Sequence, residues 1–211
     1  MAPPATLPRL NDIDPDSVAS ELASLFLAKA RILVSVLLSP AYGLTPLVAN
    51  ESSEDLLRST ELFHALKRVS LYAVYGVELD APLDGYIHRL LPLYDLLPQS
   101  REALGGPISD ETRGEREPET RFGVVIAAAR AREKLDGGRV LATAELAVLA
   151  SLGRRQVQHL IDAGEIKARL STKEHREGPR GGAWVVPAKE AARWLEARGA
   201  RSLGARPPNR T

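Results

Sequence analysis

The sequence contains no cysteine among its 211 residues. Disulfide bonds and thiolate metal sites are therefore excluded, and nothing in the chain requires an oxidising compartment. The sequence also lacks a glycine-rich phosphate loop after a strand and an arrangement that would activate a serine, which argues against nucleotide hydrolysis and acyl transfer. We therefore expect a protein that is not an enzyme and that needs no cofactor and no metal.

Long apolar runs are also scarce. The most apolar stretch, residues 25–38, contains Lys29 and Arg31 and is shorter than the roughly 20 residues that a membrane-spanning helix needs. The first residues, MAPPATLPRLNDIDPD, lack the basic region and the apolar stretch of a signal peptide. We expect a cytoplasmic protein that makes no contact with membranes.

The overall composition is that of a globular protein with a buried core, since 44% of the residues are hydrophobic and 26% are charged. The net charge of +1 conceals an asymmetry: residues 1–120 contain 10 basic and 18 acidic residues, whereas residues 121–211 contain 18 basic and 9 acidic residues. A basic surplus confined to one half is typical of nucleic-acid binding, because the cations neutralise phosphates. An arginine-rich composition from a biased genome is the alternative explanation.

Helix signals divide the first hundred residues. They predict three helices, which begin at Asp14-Pro15, at Ser52 and at about Asp84, and Pro92 is predicted to kink or break the third. Residues 100–120 are rich in Gly, Pro, Glu and Arg and cannot bury enough apolar surface to order themselves. We therefore predict an all-helical domain over 1–99 that dimerises or binds a partner, a linker over 100–120 and a DNA-binding domain over 121–211.

The C-terminal domain is predicted to begin with a connecting helix, Phe122 to Leu135. The segment LATAELAVLASLGRRQVQHLIDAGEIKARL, residues 141–170, follows it. Thr143 is a suitable N-cap for a short helix, Ser151-Leu152-Gly153 forms a tight turn, and a second helix runs from Arg154 to Ala163. Gly164 supplies a left-handed end to that helix. Two short helices joined by a brief turn that contains glycine indicate a helix-turn-helix.

The second helix of this pair has two distinct faces. Its apolar positions, Val157, Leu160 and Ile161, are predicted to point inward, and the step of about 100° per residue then directs Arg155, His159 and Asp162 outward. Arginine pairs with guanine, glutamine pairs with adenine, and a helix N-terminus attracts phosphate. The residues predicted to meet the major groove are Arg154, Arg155, Gln156, Gln158 and His159.

Two strands and a last helix complete the predicted domain. Residues 165–170 form one strand of a wing and residues 183–186 form its return, and Pro187 opens the final helix. The connection carries Lys173, Arg176 and Arg180, which are predicted to contact the DNA backbone or the minor groove. The predicted fold class is mainly α, with a helical N-terminal domain and a C-terminal winged helix-turn-helix that has a short two-stranded wing.

The last third of the chain resembles the DNA-binding modules of the excisionase and MerR families. The resemblance rests on the helix RRQVQHLIDAGEI, a strand that contains a tryptophan, and a closing helix PAKEAARWL. Ser151 stands where these families usually have the turn glycine, Gly153 stands where a Ser or Asn cap is usual, and the wing loop is longer. The resemblance implies sequence-specific binding of double-stranded DNA as a homodimer or cooperative oligomer, without a catalytic residue. We therefore expect a transcriptional regulator that is associated with the nucleoid.

Three alternatives remain open from the sequence. The first is an excisionase or a plasmid or phage partition factor that organises DNA architecture. The second is a helix-turn-helix that contacts another protein. The third is a ribonuclease that resembles the helical HEPN family, in which Arg58 and His64 of RSTELFH would act together, although Ser59 stands where an Asn or Asp often follows the arginine.

Overall fold

The computed structural model describes residues 9–22, 24, 60–96, 120–171 and 184–199. Within them the chain is mainly α-helical with a small antiparallel sheet, which confirms the mainly α part of the predicted fold class. A 3-10 turn, Leu10–Asp12, precedes α1, residues 15–22. The later elements are α2 (Glu61–Tyr75), α3 (Leu83–Leu96), α4 (Arg121–Asp136), β1 (Leu141–Ala142), α5 (Thr143–Leu149), α6 (Arg154–Asp162), β2 (Arg169–Leu170), β3 (Trp184–Val186) and α7 (Ala188–Ala197).

The first helix begins as the sequence predicts. An oxygen of the Asp14 carboxylate accepts a hydrogen bond from the backbone N–H of Asp16 at 3.3 Å, which is the arrangement of an N-cap. Val18 and Leu22 are buried in the core, together with Ile13 just before the helix. The segment is therefore held by apolar contacts as well as by its cap.

The second and third helices differ from the prediction at particular points. The predicted start at Ser52 is wrong for the helix that crosses residues 61–75, because Thr60 is extended, with φ −74° and ψ 151°, and Glu61 is the first helical residue. Pro92 does not end α3, which continues to Leu96. Tyr86, Ile87 and Leu90, before the proline, are buried, so tertiary packing outweighs the loss of one backbone donor.

Helix α4 is the centre of the fold. The Thr120 hydroxyl accepts a hydrogen bond from the N–H of Gly123 at 3.0 Å and caps the helix, which ends at Gly137-Gly138 as predicted. The helix packs against α2 on one side and against α5 and α7 on others. Its buried residues therefore lie all round the helix, namely Phe122, Gly123, Val124, Val125, Ile126, Ala128, Ala129, Ala131, Arg132 and Leu135.

Two polar contacts join α4 to the end of α2. The guanidinium of Arg132, which is 5% exposed, donates from Nε and Nη2 to the carbonyl of Ala73 at 3.4 Å each. Ala73 lies in the last turn of α2, where carbonyls have no partner within the helix, so Arg132 completes that helix end. The Tyr72 hydroxyl donates to a carboxylate oxygen of Asp136 at 2.7 Å. Burial lowers the pKa of Arg132. Burial and the hydrogen bond to Asp136 both raise the pKa of Tyr72.

The sheet has three strands in the order β1-β3-β2, not the two that the sequence predicts. Leu141 and Ala142 of β1 pair antiparallel with Val186 and Val185, and β2 pairs with the other edge of β3. A strand of two residues shows no alternation of polar and apolar side chains, which is why the sequence does not reveal it. The predicted strand over 165–170 is too long, because regular pairing begins only at Arg169.

One apolar core connects the helices before and after the predicted linker. Phe63 and Leu66 of α2 belong to the same buried cluster as Leu146 of α5 and Leu195 of α7, with α4 between them. Residues 100–119 of the predicted linker lie outside the described residues, so the predicted division into domains stays a prediction. Among the residues that the structure describes, no helix combines the length and the apolar character that a bilayer crossing requires.

The shared core predicts cooperative unfolding. Leu66 is 0% exposed, so Leu66→Ala should lower the free energy of unfolding by about 2–5 kcal/mol. Both tryptophans of the chain, Trp184 and Trp194, lie in the C-terminal part. Urea unfolding followed by tryptophan fluorescence should therefore shift as far as unfolding followed by circular dichroism. An unchanged fluorescence midpoint would show that the two halves unfold independently.

The Arg132 contact gives a second expectation. Arg132→Ala removes a charged hydrogen-bond donor and leaves a cavity, so it should lower the free energy of unfolding by about 2–4 kcal/mol. Arg89→Ala is the matched control, because Arg89 is exposed and its guanidinium lies over the Tyr86 ring at 5.9 Å, and it should change that free energy by less than about 1 kcal/mol. Chemical denaturation of both variants measures the difference, and equal effects would contradict a structural role for Arg132.

Candidate nucleic-acid interface

Helix α5 is anchored at its start by Glu145. One carboxylate oxygen accepts a hydrogen bond from the N–H of Ala142 at 2.8 Å, and the other forms an ion pair with Lys134 of α4 at 2.5 Å. The predicted N-cap is wrong by one residue, because Ala142 occupies that position and Thr143 is already helical. The Thr143 hydroxyl instead donates to the carbonyl of Trp184 at 3.2 Å, which joins α5 to β3.

The turn between α5 and α6 has the position that the sequence predicts. The N–H of Leu152 donates to the carbonyl of Ala147 at 2.9 Å and closes the turn. Ser151 is buried and adopts φ +54°, a left-handed conformation that favours glycine. Its hydroxyl oxygen accepts a hydrogen bond from the backbone N–H of Asn11 at 2.9 Å. The N-terminal segment is thus in direct contact with the turn.

Helix α6 has the two faces that its sequence predicts. Val157 and Ile161 are 0% and 7% exposed and belong to the core, and Leu160 packs against it while only partly buried. Arg155 and His159 lie on the opposite, exposed face. The helix therefore rests on one apolar edge and leaves the predicted contact face open.

The C-terminal end of α6 also follows the prediction. Gly164 has φ +76°, which residues with a side chain rarely adopt. The N–H of Glu165 donates to the carbonyl of Leu160 at 2.9 Å, and the N–H of Gly164 donates to the carbonyl of Ile161 at 3.0 Å. These two bonds form a Schellman motif, which ends the helix and turns the chain toward the sheet.

Two predicted contact residues have structural roles that the sequence reasoning missed. The side-chain oxygen of Gln156 accepts a hydrogen bond from the N–H of Gly153 at 3.0 Å, and the amide nitrogen of Gln158 donates to Asp162 at 2.9 Å. The signals were present, since a Gln three residues after a cap and a Gln–Asp pair four residues apart both stabilise helices. To read a base in a bidentate manner, either glutamine must give up its bond within the helix.

The leading end of α6 is cationic. Arg154 and Arg155 occupy its first two positions, both are exposed, and the first turn contains no acidic residue. The helix dipole places partial positive charge at this end, so two arginines there destabilise the free helix. A ligand with negative charge would be attracted both by the arginines and by the helix dipole, and this attraction would offset the repulsion.

The segment that follows α6 adds two further cations that the sequence reasoning did not single out. Lys167 and Arg169 are exposed at the base of the predicted wing. The backbone N–H of Lys167 donates to a carboxylate oxygen of Glu190 at 3.3 Å, which ties this loop to α7. Hydrogen bonds from Arg193 keep the pKa of Glu190 below its ordinary value. The predicted wing residues Lys173, Arg176 and Arg180 lie outside the described residues.

The alternative ribonuclease site is only partly described. His64 is exposed near the start of α2, and Arg58 lies outside the described residues. Elsewhere on the N-terminal helices, Asp80 accepts a hydrogen bond from the Tyr86 hydroxyl and pairs with Arg68 at 3.2 Å. The Tyr86 bond, followed by Arg68, lowers the pKa of Asp80. This cluster links the loop before α3 to both neighbouring helices.

Comparisons with known proteins supply no relative. No protein family model matches the chain, and no curated protein and no solved structure is significantly similar to it. The functional argument therefore depends on the residues of the α5–α6 pair and on their geometry.

Proposed function

We propose that this protein binds double-stranded DNA through α6 and acts as a transcriptional regulator with a winged helix-turn-helix. The observation that carries the proposal is the exposed, cationic leading end of a helix whose opposite edge is anchored in the core. Arg155 is the central contact, with Arg154 and His159 beside it.

The dimensions of α6 suit the major groove. Like any α-helix, it is about 10–12 Å across with its side chains, which fits a groove about 12 Å wide. Its nine residues extend about 14 Å along the groove at about 1.5 Å per residue. The tight turn after α5 and the Schellman motif at the other end define where the helix begins and ends. A helix of this length presents its first two turns to base edges while the flanking elements contact the phosphates.

The unfavourable local interactions at the start of α6 also favour the binding of a ligand there. Arg154 and Arg155 lie where a helix prefers acidic residues, and Gly153 occupies the cap position without a side-chain bond to the helix. Local choices of this kind cost stability, and proteins retain them most often at functional sites. Phosphate or guanine would accept hydrogen bonds from these arginines and would satisfy the helix dipole at the same time.

The charge of the wider region supports DNA rather than another protein as the ligand. Residues 121–211 contain twice as many basic as acidic residues, 18 against 9. Among the described residues, the large apolar side chains that stand exposed are Val140 and Leu170. Protein interfaces depend on apolar anchors at their centre, whereas DNA interfaces are polar and positively charged. Binding as a homodimer or a cooperative oligomer is part of the proposal.

The first test is the salt dependence of binding by the full chain. Fluorescence anisotropy with labelled duplex DNA should show the logarithm of the binding constant falling linearly with the logarithm of salt concentration. The slope should be about −0.9 for each phosphate that is neutralised, and we expect about three to six such contacts. A flat response, or no binding at low salt, would refute the proposal.

The second test separates reading of the sequence from attraction of charge. Once a bound site has been selected from random duplexes, Arg155→Ala should weaken its binding by about 1–3 kcal/mol more than binding of random DNA. Arg89→Ala, which removes an exposed arginine from α3, should leave the difference between the two duplexes unchanged. Equal losses on both duplexes would reduce Arg155 to a phosphate contact.

The same residue should show a conflict between stability and binding. Arg155→Glu replaces a cation with an anion at the second helical position, which should stabilise α6 by about 0.3–1 kcal/mol through the helix dipole. The variant should therefore melt at the parent temperature or above it and yet bind no DNA. A lowered melting temperature would mean that Arg155 supports the fold instead.

A further inference from the structure

The N-terminal segment contacts the helix-turn-helix at the turn itself. The backbone N–H of Asn11 donates to the hydroxyl oxygen of Ser151 at 2.9 Å across 140 residues of sequence. Asn11 lies in the 3-10 turn Leu10–Asp12, whose first N–H groups have no partner within the turn. Ser151 therefore supplies the acceptor that this end of the turn needs.

The identity of residue 151 is unusual for its backbone conformation. Among the described residues, Ser151 is the one with a side chain that has a positive φ. Glycine would adopt φ +54° without steric cost, but it would have no oxygen to offer to Asn11. Serine at this position therefore has a less favourable backbone conformation than glycine would have, but it gains a hydrogen bond with the N-terminal segment.

Further contacts hold the same segment in place. Leu10 and Ile13 are 4% and 2% exposed. Asp16 forms an ion pair with Lys67 of α2 at 3.0 Å, and Glu21 forms one with Arg121 of α4 at 3.6 Å. The segment is therefore attached both to the helical core and to the turn that leads into α6.

We infer that residues 9–22 form an N-terminal clamp on the turn between α5 and α6, and that Ser151 is the positioning residue through which the clamp orients α6. The inference rests on the proposed function for its consequence, which is that loosening the clamp weakens DNA binding. By linkage, DNA bound at α6 also strengthens the hold of the clamp.

The test compares two variants that both lack the hydroxyl. Ser151→Ala removes the acceptor and keeps the strained backbone, whereas Ser151→Gly removes the acceptor and relieves the strain. Ser70→Ala is the matched control, because the Ser70 hydroxyl is buried in α2, outside residues 9–22, and has no hydrogen-bond partner among the residues that the structure describes. Amide hydrogen exchange, measured by NMR on the full chain without DNA, reports the local stability of the clamp, of the turn and of α6.

The informative amides are those of Asn11, Leu152 and Val157. The last two donate to Ala147 and Gly153, and so report the turn and the first turn of α6. Loss of one hydrogen bond should speed their exchange about fivefold in both Ser151 variants, although the glycine variant should melt at a higher temperature than the alanine variant. The clamp is overturned if the Asn11 amide exchanges at the parent rate in both variants. It is also overturned if the exchange rates of the two variants follow their melting temperatures and not the loss of the hydroxyl.

The DNA arm distinguishes the two proposals. If the parent binds duplex DNA, both Ser151 variants should bind it about fivefold more weakly and Ser70→Ala should bind it equally well. Unchanged affinity in the Ser151 variants overturns the positioning role. If the parent binds no DNA, the proposed function fails, and the exchange rates at Asn11, Leu152 and Val157 still decide whether the clamp exists.

Discussion

Burial of α4 on every side is the constraint on which the rest of the structure depends. A helix of this kind cannot complete its core with one neighbour, so α2 must cover part of it while α5 and α7 cover the rest. The two halves of the chain are thereby packed against a common element. Its one strongly buried charge, Arg132, is acceptable because the guanidinium completes the C-terminal end of α2 at Ala73.

This arrangement explains how the short helices α5 and α6 are held. Helix α5 is attached to α4 by the Lys134–Glu145 ion pair and to the sheet by the Thr143 hydroxyl. Helix α6 contributes fewer buried residues, and its position depends on the turn that precedes it. The single hydrogen bond between Asn11 and Ser151 therefore influences the position of α6 through the turn.

Local rules are broken together at one place, the junction of the turn and α6. Ser151 has a backbone conformation suited to glycine, Gly153 sits where a capping side chain would stabilise the helix, and Arg155 opposes the helix dipole. Elsewhere the same rules are obeyed, as Asp14, Thr120 and Gly164 show at three helix ends. Proteins retain such departures most often at functional sites, which is consistent with the proposed role of α6.

The sequence by itself determined the features that depend on near neighbours. These include the start of α1 at Asp14, the extent of α4, the turn at residues 151–153 and the two faces of α6, because capping, periodicity and charge are local properties. Only the tertiary structure decided that β1 exists, that α3 passes through Pro92 and that Asn11 meets Ser151. Each of these depends on groups that are far apart in the chain, and a pattern of adjacent residues contains no information on which distant partner will satisfy a backbone N–H or cover an apolar face.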